Sequence, residues 1–378
     1  MPRSYVSRHH SPLCWVGIDL QANQMEPWGW ILLLFSMILY RHLIGLWPHS
    51  GEKTPPMYGD FEAQRHWMEI TTSLPLKDWY RNSTENDLLY WGLDYPPLTA
   101  YVSWICGRVG AALEPESMVL ESSRGYETPN NRVFMRLTVI ACDLLVYFPA
   151  CYLVVKSYYG HLLWPRQYEA VALLMVQPAL LLIDHGHFQY NGVCIGLTML
   201  SIVAIHRRRW FVGAILFACA LNFKQIALYY ALGFFFGLLS ISIHTSGGSS
   251  VRFLLLLGGL GLAVIGTFLL HWLPFCFYKS PEETCLQGMS HVLSRIFPFN
   301  RGLFEDKVSN LWCVLDPMLK LRNYNPKYLK ILSAGATLLL SAPACIALMR
   351  RTPTMRALLY VVDVSCLLLS LLSFCHAR

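Results

Sequence analysis

Residues Val251–Phe277 read VRFLLLLGGLGLAVIGTFLLHWLPFCF, a long apolar run with one charged residue near its start. A helix needs about 20 apolar residues to cross the hydrocarbon core of a bilayer, so this run is long enough. Taken alone, it could also be a buried helix of a water-soluble domain. Four further runs approach or exceed that length, and the five together predict a protein that crosses the membrane several times: Trp28–Trp47, Val133–Val155, Tyr328–Met349 and Ala357–Cys375.

The composition excludes an ordinary water-soluble domain. Of the 378 residues, 54% are hydrophobic and 14% are charged, with a mean hydropathy of +0.39, whereas soluble domains carry about 25% charged residues. The formal charge of +7 lies partly in short clusters at 206–209 and 350–351. Such clusters normally stay on the cytoplasmic side of a membrane, so we do not interpret them as a nucleic-acid surface.

Twelve cysteines could supply disulfides, but most lie in apolar stretches, where cysteine packs as a small hydrophobic residue. No CxxC pairing typical of a metal site is present. The sequence therefore predicts neither a disulfide framework nor a zinc site.

The first polar segment, Pro48–Pro96, combines acids with aromatic residues. Carboxylates accept hydrogen bonds from hydroxyl groups, and ring faces cover the apolar face of a pyranose, so the mixture suits sugar binding. A solvated loop with aromatics at the membrane interface would have a similar composition. The segment also contains the glycosylation sequon Asn82-Ser83-Thr84, which is usable only on the lumenal side.

The membrane topology of the next residues is ambiguous. Leu98–Leu113 is a shorter candidate span, followed by further apolar segments up to Ile205. If every segment crossed once and the Asp60 loop were lumenal, Arg207–Arg209 would also be lumenal, against the usual distribution of positive charge. One segment between Leu98 and Ile205 must therefore be miscounted.

Ionisable residues also occur inside the apolar segments. Arg136 and Asp143 are seven positions apart, on one helix face but two turns distant, too far for an ordinary ion pair. A structural role and a substrate role are both open for them. Lys224, flanked by Asn222 and Gln225, predicts a broken or re-entrant helix lining a polar cavity, although the lysine could instead reach the membrane interface.

Two more segments carry concentrated polarity. Pro178 predicts a kink before the run Asp184–Asn191, which reads DHGHFQYN. The second polar segment, Tyr278–Lys327, contains Arg301–Val308, which reads RGLFEDKV. Its cations and acids could bind a phosphate and sugar hydroxyls, and a surface turn held by salt bridges would look the same.

Four segments together resemble one family: GDFEAQRHW at Gly59–Trp67, WGLDYPPLTAY at Trp91–Tyr101, and the runs Asp184–Asn191 and Arg301–Val308. From about Met25 to Phe374 the chain is similar to the dolichyl-phosphate-glucose-dependent α-1,3-glucosyltransferases of the N-glycan precursor pathway. It resembles the members that add the first glucose to the Man9GlcNAc2 lipid more than the paralogues that add the second.

The resemblance implies an all-α, multi-pass helical bundle of the GT-C type in the endoplasmic reticulum membrane, with a large first lumenal loop carrying the catalytic acid. The donor would be dolichyl-phosphate glucose and the acceptor dolichyl-diphosphate-linked Man9GlcNAc2, joined with inversion. We expect one membrane domain at 25–378, with polar loops at 48–96 and 278–327. No metal or other cofactor is expected.

The resemblance also implies roles for particular residues. Asp60 would be the base that takes the proton from the acceptor hydroxyl. Arg301, Lys307, Lys224 and Arg124 are candidates to stabilise the departing phosphate. The other substrate-binding candidates, some of which could instead position the loop or pack between helices, are Glu62, Arg65, His66, Asp94, Tyr95, His187, Gln189, Asn191, Glu305 and Asp306.

The chain departs from the family pattern in places. Family members carry Lys-Gln-Met in the broken element, whereas Ile226 follows Gln225 here. They also continue into a His-Glu-Lys loop and further helices, which the ending His376-Ala377-Arg378 does not reproduce. If that loop helps hold the lipid phosphate, this product would be inactive or an incomplete isoform. A truncated form could still bind dolichyl lipids or the full-length enzyme without catalysis.

Met1–Gln24 is polar and basic with no apolar core, so we expect an extension ahead of an initiation at Met25 and not a signal peptide. A transporter is the remaining alternative function, since Arg136, Asp143 and Lys224 could serve one. A transporter would not explain the loop rich in acids and aromatic residues. Transporters often contain pairs of broken helices in repeated halves, and the sequence shows no such pairing.

Overall fold

The computed structural model describes residues 11–297, 311–350 and 354–372, and these ranges contain helices and no β-strand. Six helices are long and apolar enough to cross a membrane: Glu26–Gly45, Pro129–Tyr158, Trp164–Phe188, Gln225–Thr245, Ser250–Phe277 and Pro326–Arg350. Four of them contain most of the first four predicted runs, and the helix Met355–Leu372 covers much of the fifth. The prediction of an all-α, multi-pass membrane protein is confirmed.

The described residues form two compact units. The first comprises residues 11–93 and 100–208, and the second comprises 94–99 and the described residues from 209 onward. The helices up to the end of the first unit are α1 Pro12–Ala22, α2 Glu26–Gly45, α3 Gly59–Ser73, α4 Pro97–Leu113, α5 Pro129–Cys142, α6 Phe148–Tyr158, α7 Trp164–Met175, α8 Pro178–Leu180 and α9 Asn191–His206.

Helices α2, α6 and α7 share an apolar core in the first unit. Leu33 of α2, Val155 of α6 and Val171 of α7 are among its buried members. Trp30 packs edge-on against Trp164, with ring centroids 5.5 Å apart. These contacts bury the inward face of each helix, and the opposite faces keep the apolar surface that suits lipid.

Helix α1 lies within the predicted N-terminal extension and packs on α7. The Ser11 hydroxyl accepts a hydrogen bond from the Cys14 amide and caps the helix. A Cβ atom added to Gly17 would lie 2.9 Å from the Cα of Pro165, so glycine permits the close approach of the two chains. The extension therefore contains a packed helix in this structure.

Two stretches of π-helix interrupt the bundle of the first unit. One spans Asp143–Tyr147, between α5 and α6. The other spans Leu181–Phe188 and contains the first residues of the polar run Asp184–Asn191. π-turns insert extra residues into a helix and occur often at functional sites. The predicted kink at Pro178 takes the form of a break, because α7 ends at Met175 and Pro178 begins the next helix.

The first polar segment folds into a compact layer around α3. All residues from Phe61 to Thr71 are buried, and so are the rings of Trp79 and Tyr80. Helix α4 packs against it, since a Cβ atom on Gly107 would lie 2.6 Å from the carbonyl oxygen of Met68. Several aromatic residues of this segment thus form its own core.

The second unit contains α10 Trp210–Phe223, α11 Leu228–Thr245, α12 Ser250–Phe277, α13 Cys285–Ile296, α14 Leu311–Leu319, α15 Pro326–Arg350 and α16 Met355–Leu372. Lys224 is extended between α10 and the short helix Gln225–Ala227, so the predicted break in this helix is confirmed. Gly233 and Gly237 face Val362 and Leu358, and these small residues let α11 and α16 approach closely.

One pair of cysteines contradicts the prediction that the cysteines form no disulfide. Cys276, at the end of α12, is bonded to Cys285, at the start of α13. Both lie at the boundary of the second polar segment and outside the interior of the apolar helices. Nine other cysteines of the described residues form no disulfide, as expected for thiols packed between helices.

Candidate active site

Two glycines bring the chain back on itself at the start of α3. Gly51 and Gly59 both have φ near +72°, in the left-handed region. A Cβ atom on Gly59 would lie 2.6 Å from the carbonyl oxygen of Ser50. The Ser50 hydroxyl accepts a hydrogen bond from the amide of Asp60 at 3.5 Å, and the Ser50 amide donates to the carbonyl of His187 at 3.2 Å. Ser50 therefore ties the start of α3 to the second π-helix.

This close approach of two backbone segments places Asp60 next to two other predicted site residues. Its Oδ2 atom accepts a hydrogen bond from Nε2 of Gln189 at 2.6 Å and lies 3.0 Å from Nε2 of His187. The Asp60 side chain is 32% exposed and that of His187 is 49% exposed. Among the described residues no donor contacts Oδ1, so half of the carboxylate stays available at an accessible position.

The contact between Asp60 and His187 also bears on the ambiguous topology. The two residues must lie on one side of the membrane, so an even number of crossings separates them. Between them, two helices are long and apolar enough to cross a membrane, Pro129–Tyr158 and Trp164–Phe188. Helix α4 is not one of these and packs on α3, so the count favours Leu98–Leu113 as the miscounted segment. The shorter apolar helix α9 follows and leads to Arg207–Arg209.

Buried charges hold the π-helix that carries His187. Arg136 donates hydrogen bonds to the carbonyl of His185 and, at 3.1 Å, to that of Gly186. Asp143 is 2.6 Å from Nε of Arg41 and 2.9 Å from Nε2 of His185. Arg136 and Asp143 thus have separate partners, and these contacts favour the structural role over the substrate role.

Arg41 is a residue that sequence reasoning missed. It is 1% exposed and also donates to the carbonyl of Met175 at 3.0 Å. The available signal was a lone arginine inside the first predicted span, which must find a partner in the bundle, and Asp143 was the acid at comparable depth in another span.

Asn191 lies beside this region but contacts a different acid. Its side-chain amide donates to Oδ1 of Asp184 at 2.8 Å, and the amide of Gly192 donates to Oδ2 at 2.7 Å. Asp184 is fully buried. It therefore holds the start of α9, and the Asp184–Asn191 run divides into residues that fix the backbone and residues that face Asp60.

Glu62, Arg65 and His66 lie on α3 in a buried network. Arg65 contacts Glu62 at 2.6 Å and Glu69 at 2.7 Å, and it donates to the carbonyl of Ser117 at 2.8 Å. His66 lies 3.2 Å from Glu69. All four charged or titratable side chains are at most 2% exposed, so in this structure they join α3 to the segment before α5. Glu69 was missed by sequence reasoning.

The network shifts the proton affinity of its members. Burial alone would raise the pKa of Glu69, but the hydrogen bond from His66 and the charge of Arg65 outweigh it and hold that pKa at about 2. Burial, followed by the charge of Glu62, raises the pKa of the Tyr90 hydroxyl, which donates to Glu62 at 2.8 Å. Near Asp60, burial lowers the pKa of His49 to about 4.

The remaining predicted residues of the described ranges have different surroundings. The exposed Arg124 stacks over the ring of Tyr90, 4.3 Å from its centroid. In the second unit, Lys224 is 4% exposed and its Nζ lies 4.8 Å from the ring centroid of Tyr95. The carbonyl of Asp94 accepts a hydrogen bond from Gln225 at 3.1 Å. Lys224 is therefore held inside its unit.

Arg301, Glu305, Asp306 and Lys307 lie outside the described residues. Within the described ranges, no three His, Cys, Asp or Glu side chains converge as metal ligands would.

Sequence comparison gives consistent matches over most of the chain. The sequence model of the ALG6, ALG8 glycosyltransferase family matches residues 32–376. A probable dolichyl pyrophosphate Man9GlcNAc2 alpha-1,3-glucosyltransferase of Dictyostelium discoideum is 47% identical over 297 residues, covering 78% of this chain and 55% of that protein. The dolichyl pyrophosphate Man9GlcNAc2 alpha-1,3-glucosyltransferase of Mus musculus is 42% identical over 347 residues, covering 91% of this chain and 66% of that protein. The chain thus spans between 55% and 66% of the length of these two relatives.

Proposed function

Because the chain belongs to the ALG6, ALG8 glycosyltransferase family, we propose that it glucosylates the lipid-linked N-glycan precursor. The acceptor is dolichyl-diphosphate Man9GlcNAc2, the substrate that the names of its relatives give. The donor is dolichyl-phosphate glucose, and the product carries an α-1,3-linked glucose with inversion at the anomeric carbon.

The observation that carries this proposal is the paired contact of Asp60. Gln189 and His187 both contact Oδ2, which fixes the carboxylate and leaves Oδ1 open to the acceptor. As the mannose hydroxyl attacks C1 of glucose, Oδ1 takes its proton. The new C1–O bond forms as the bond from C1 to the phosphate oxygen breaks, and the electron pair of that bond leaves with dolichyl phosphate.

A second catalytic carboxyl group is unnecessary for this reaction. In inverting glycoside hydrolysis, an acid must protonate the departing alcohol. Here the departing group is a phosphate, which is acidic enough to leave without a proton. What it needs is positive charge, and we assign that role to Lys224, Arg124, Arg301 and Lys307.

The other predicted residues divide into two proposed groups. His187, Gln189, Asp94, Tyr95, Glu305 and Asp306 are proposed to contact or orient the substrates, and Asn191, whose side-chain amide donates to the buried Asp184, is proposed to hold the backbone beside them. Glu62, Arg65 and His66 are proposed to act mainly by holding α3, since their side chains are almost wholly buried.

We place the active site in the lumen of the endoplasmic reticulum. The argument is that Arg207–Arg209 lies across the membrane from Asp60 when α9 is counted as a crossing, and clustered arginines in short connections favour the cytoplasm.

The proposal is tested in cells that lack the first glucosylation step. Expression of the chain is expected to convert Man9GlcNAc2 lipid into its monoglucosylated form, seen by chromatography of the released oligosaccharides. Asp60→Asn should abolish conversion, whereas Glu85→Gln, which changes an exposed acid of the same loop, should retain it. Full conversion by Asp60→Asn would remove Asp60 as the base.

The donor is tested separately in microsomes. Labelled dolichyl-phosphate glucose should transfer label directly, and labelled UDP-glucose should do so only while dolichyl-phosphate glucose synthesis is active. If the wild-type chain is inserted yet makes no product with either donor, the alternative is a form that binds dolichyl lipids without catalysis.

A further inference from the structure

Asn82-Ser83-Thr84 is the one N-x-S/T sequon in the 378 residues, and neither the fold nor the proposed catalysis uses it. Asn82 and Thr84 are exposed, in a stretch without helical structure between the short helix Leu76–Asp78 and α4. Glycan attachment needs an accessible asparagine and an accessible hydroxyl residue two positions later. Both conditions are met in the folded layer.

The hydrogen bonding of Asn82 leaves its reactive atom available. Its Oδ1 accepts a hydrogen bond from the amide of Leu88 at 3.2 Å, and within the described residues Nδ2 has no partner. By contrast, the nearby Asn86 is buried and uses its Nδ2 to bind the carbonyl of Asp78 at 2.7 Å. Asn86 fixes this loop, and Asn82 is not needed for that purpose.

The same loop carries Asp60, so Asn82 lies on the side of the membrane that the proposed function assigns to Asp60. We propose that Asn82 carries an N-linked glycan. The step joins Nδ2 to C1 of the first N-acetylglucosamine of a lipid diphosphate-linked oligosaccharide, releases the lipid diphosphate as leaving group and transfers one amide proton to base. The inference rests on the lumenal placement in the proposed function.

The structure also predicts that this glycan leaves the site intact. Attachment at Nδ2 preserves the bond from Leu88 to Oδ1, and no contact in the Asp60, His187 and Gln189 cluster involves Asn82. Loss of the glycan should therefore leave glucosylation of the lipid precursor unchanged when equal amounts of protein are compared.

The test uses the full chain, tagged and expressed in cells with normal N-glycosylation. Peptide N-glycosidase should increase the gel mobility of the wild type by one step and convert Asn82 to aspartate, which peptide mass spectrometry detects. Asn82→Gln and Thr84→Ala should migrate like the digested wild type and resist the enzyme. Thr84→Ser keeps the sequon and should retain the glycan.

A second variant separates this inference from the sidedness of the loop. Leu120→Asn, placed in the Asn82→Gln background, completes a new sequon with Glu121 and Ser122 in the segment after α4. Leu120 is half-buried and the hydroxyl-bearing Ser122 is exposed, so the new sequon meets the same condition of access as Asn82 and Thr84. If the new sequon is glycosylated but the wild type is not, the Asn82 inference is overturned while lumenal placement stands. If neither is glycosylated, both are overturned.

Discussion

At the scale of single residues, the arrangement around Asp60 depends on donors that orient one oxygen. Gln189 supplies the shorter contact, 2.6 Å to Oδ2, and a hydrogen bond to a charged group contributes about 1.5–3 kcal/mol. The side-chain amide of Gln189 does not gain or lose a proton, so it cannot act as a proton carrier. Its contribution is therefore the orientation of the carboxylate.

The first prediction concerns this orientation. Gln189→Met removes the donor at similar volume, so we expect the rate of glucose transfer in microsomes to fall about 10- to 100-fold, with protein abundance preserved. Gln177→Met changes an exposed glutamine of the same apolar region and should have little effect. An unchanged rate in Gln189→Met would show that His187 alone orients Asp60.

His49 gives a second prediction, on stability and pH. It is 6% exposed and stacks on Phe61, with ring centroids 3.9 Å apart. Its folded pKa of about 4 lies below the ordinary 6.5, so between these values the unfolded chain binds a proton that the folded chain does not. Stability should therefore fall as pH drops from 6.5 to 4, by at most about 3 kcal/mol.

Thermal unfolding of the detergent-solubilised protein between pH 7 and pH 4.5 measures this effect. His49→Asn keeps a donor near the Ser50 carbonyl and removes the titration, so its unfolding temperature should vary less over this range. Glu69 contributes in a separate window, since its stabilisation is present above pH 4.5 and is lost toward pH 2. An identical pH dependence in wild type and His49→Asn would exclude His49 as the cause.

At the scale of elements, the second π-helix is fixed by charges buried in the apolar helices. Arg41 contacts Asp143, and Asp143 contacts His185 on this π-helix. Arg41 and Asp143 are each at most 1% exposed. Removing one member of a buried ion pair leaves an uncompensated charge and typically costs 3–5 kcal/mol. Replacing both with apolar residues avoids that penalty.

The third prediction follows from this asymmetry. Asp143→Leu alone should reduce the abundance of folded protein, measured by fluorescence-detected size exclusion of a tagged chain. Arg41→Met combined with Asp143→Leu should recover much of it. Activity should recover less than abundance, because His185 has lost its partner and the π-helix is no longer fixed beside Asp60. Equal recovery of both would contradict a role in positioning.

The sequence was informative about elements whose signal is local. Hydropathy predicted most spans, and the polar residues around Lys224 predicted a break between α10 and α11. Helix α4 was the ambiguous case because its apolar face packs on α3, and a buried helix and a membrane helix of that length have the same composition. The argument against a crossing needed the contact between Asp60 and His187.

The site was predictable only in part, for the same reason. Asp60, His187 and Gln189 came from motif resemblance, and the structure brings them into contact. That Arg65 lies among Glu62, Glu69 and Ser117 depends on contacts between distant segments, which no local pattern records. The residues Arg301, Glu305, Asp306 and Lys307 lie outside the described ranges, so their roles stay predictions.

At the scale of the whole molecule, the disulfide bears on the compartment. Cytosolic proteins rarely keep such bonds, whereas those formed in the lumen of the endoplasmic reticulum persist. The bond between Cys276 and Cys285 therefore agrees with a connection between α12 and α13 that faces an oxidising compartment such as the lumen of the endoplasmic reticulum.

The fourth prediction is that this bond exists in the protein purified from cells. Trypsin cleaves after Lys279, which lies between the two cysteines, so without reduction their peptides should be recovered as one linked species. Reduction should separate them, and Cys285→Ser should abolish the linkage. Cys106, which forms no disulfide, should be alkylated without reduction once the protein is denatured. Recovery of unlinked, alkylated Cys276 from unreduced protein would contradict the assignment.

The contact between Asp60 and Gln189 joins positions 129 apart in the chain, and this has a consequence for biogenesis. At a synthesis rate of about 5–20 residues per second, the nascent loop must wait roughly 6–26 seconds at the translocon before Gln189 is made. Throughout that interval the site is unassembled, and Asn82 is translated early within it. Glycan attachment can thus precede completion of the catalytic carboxylate's surroundings during every round of synthesis.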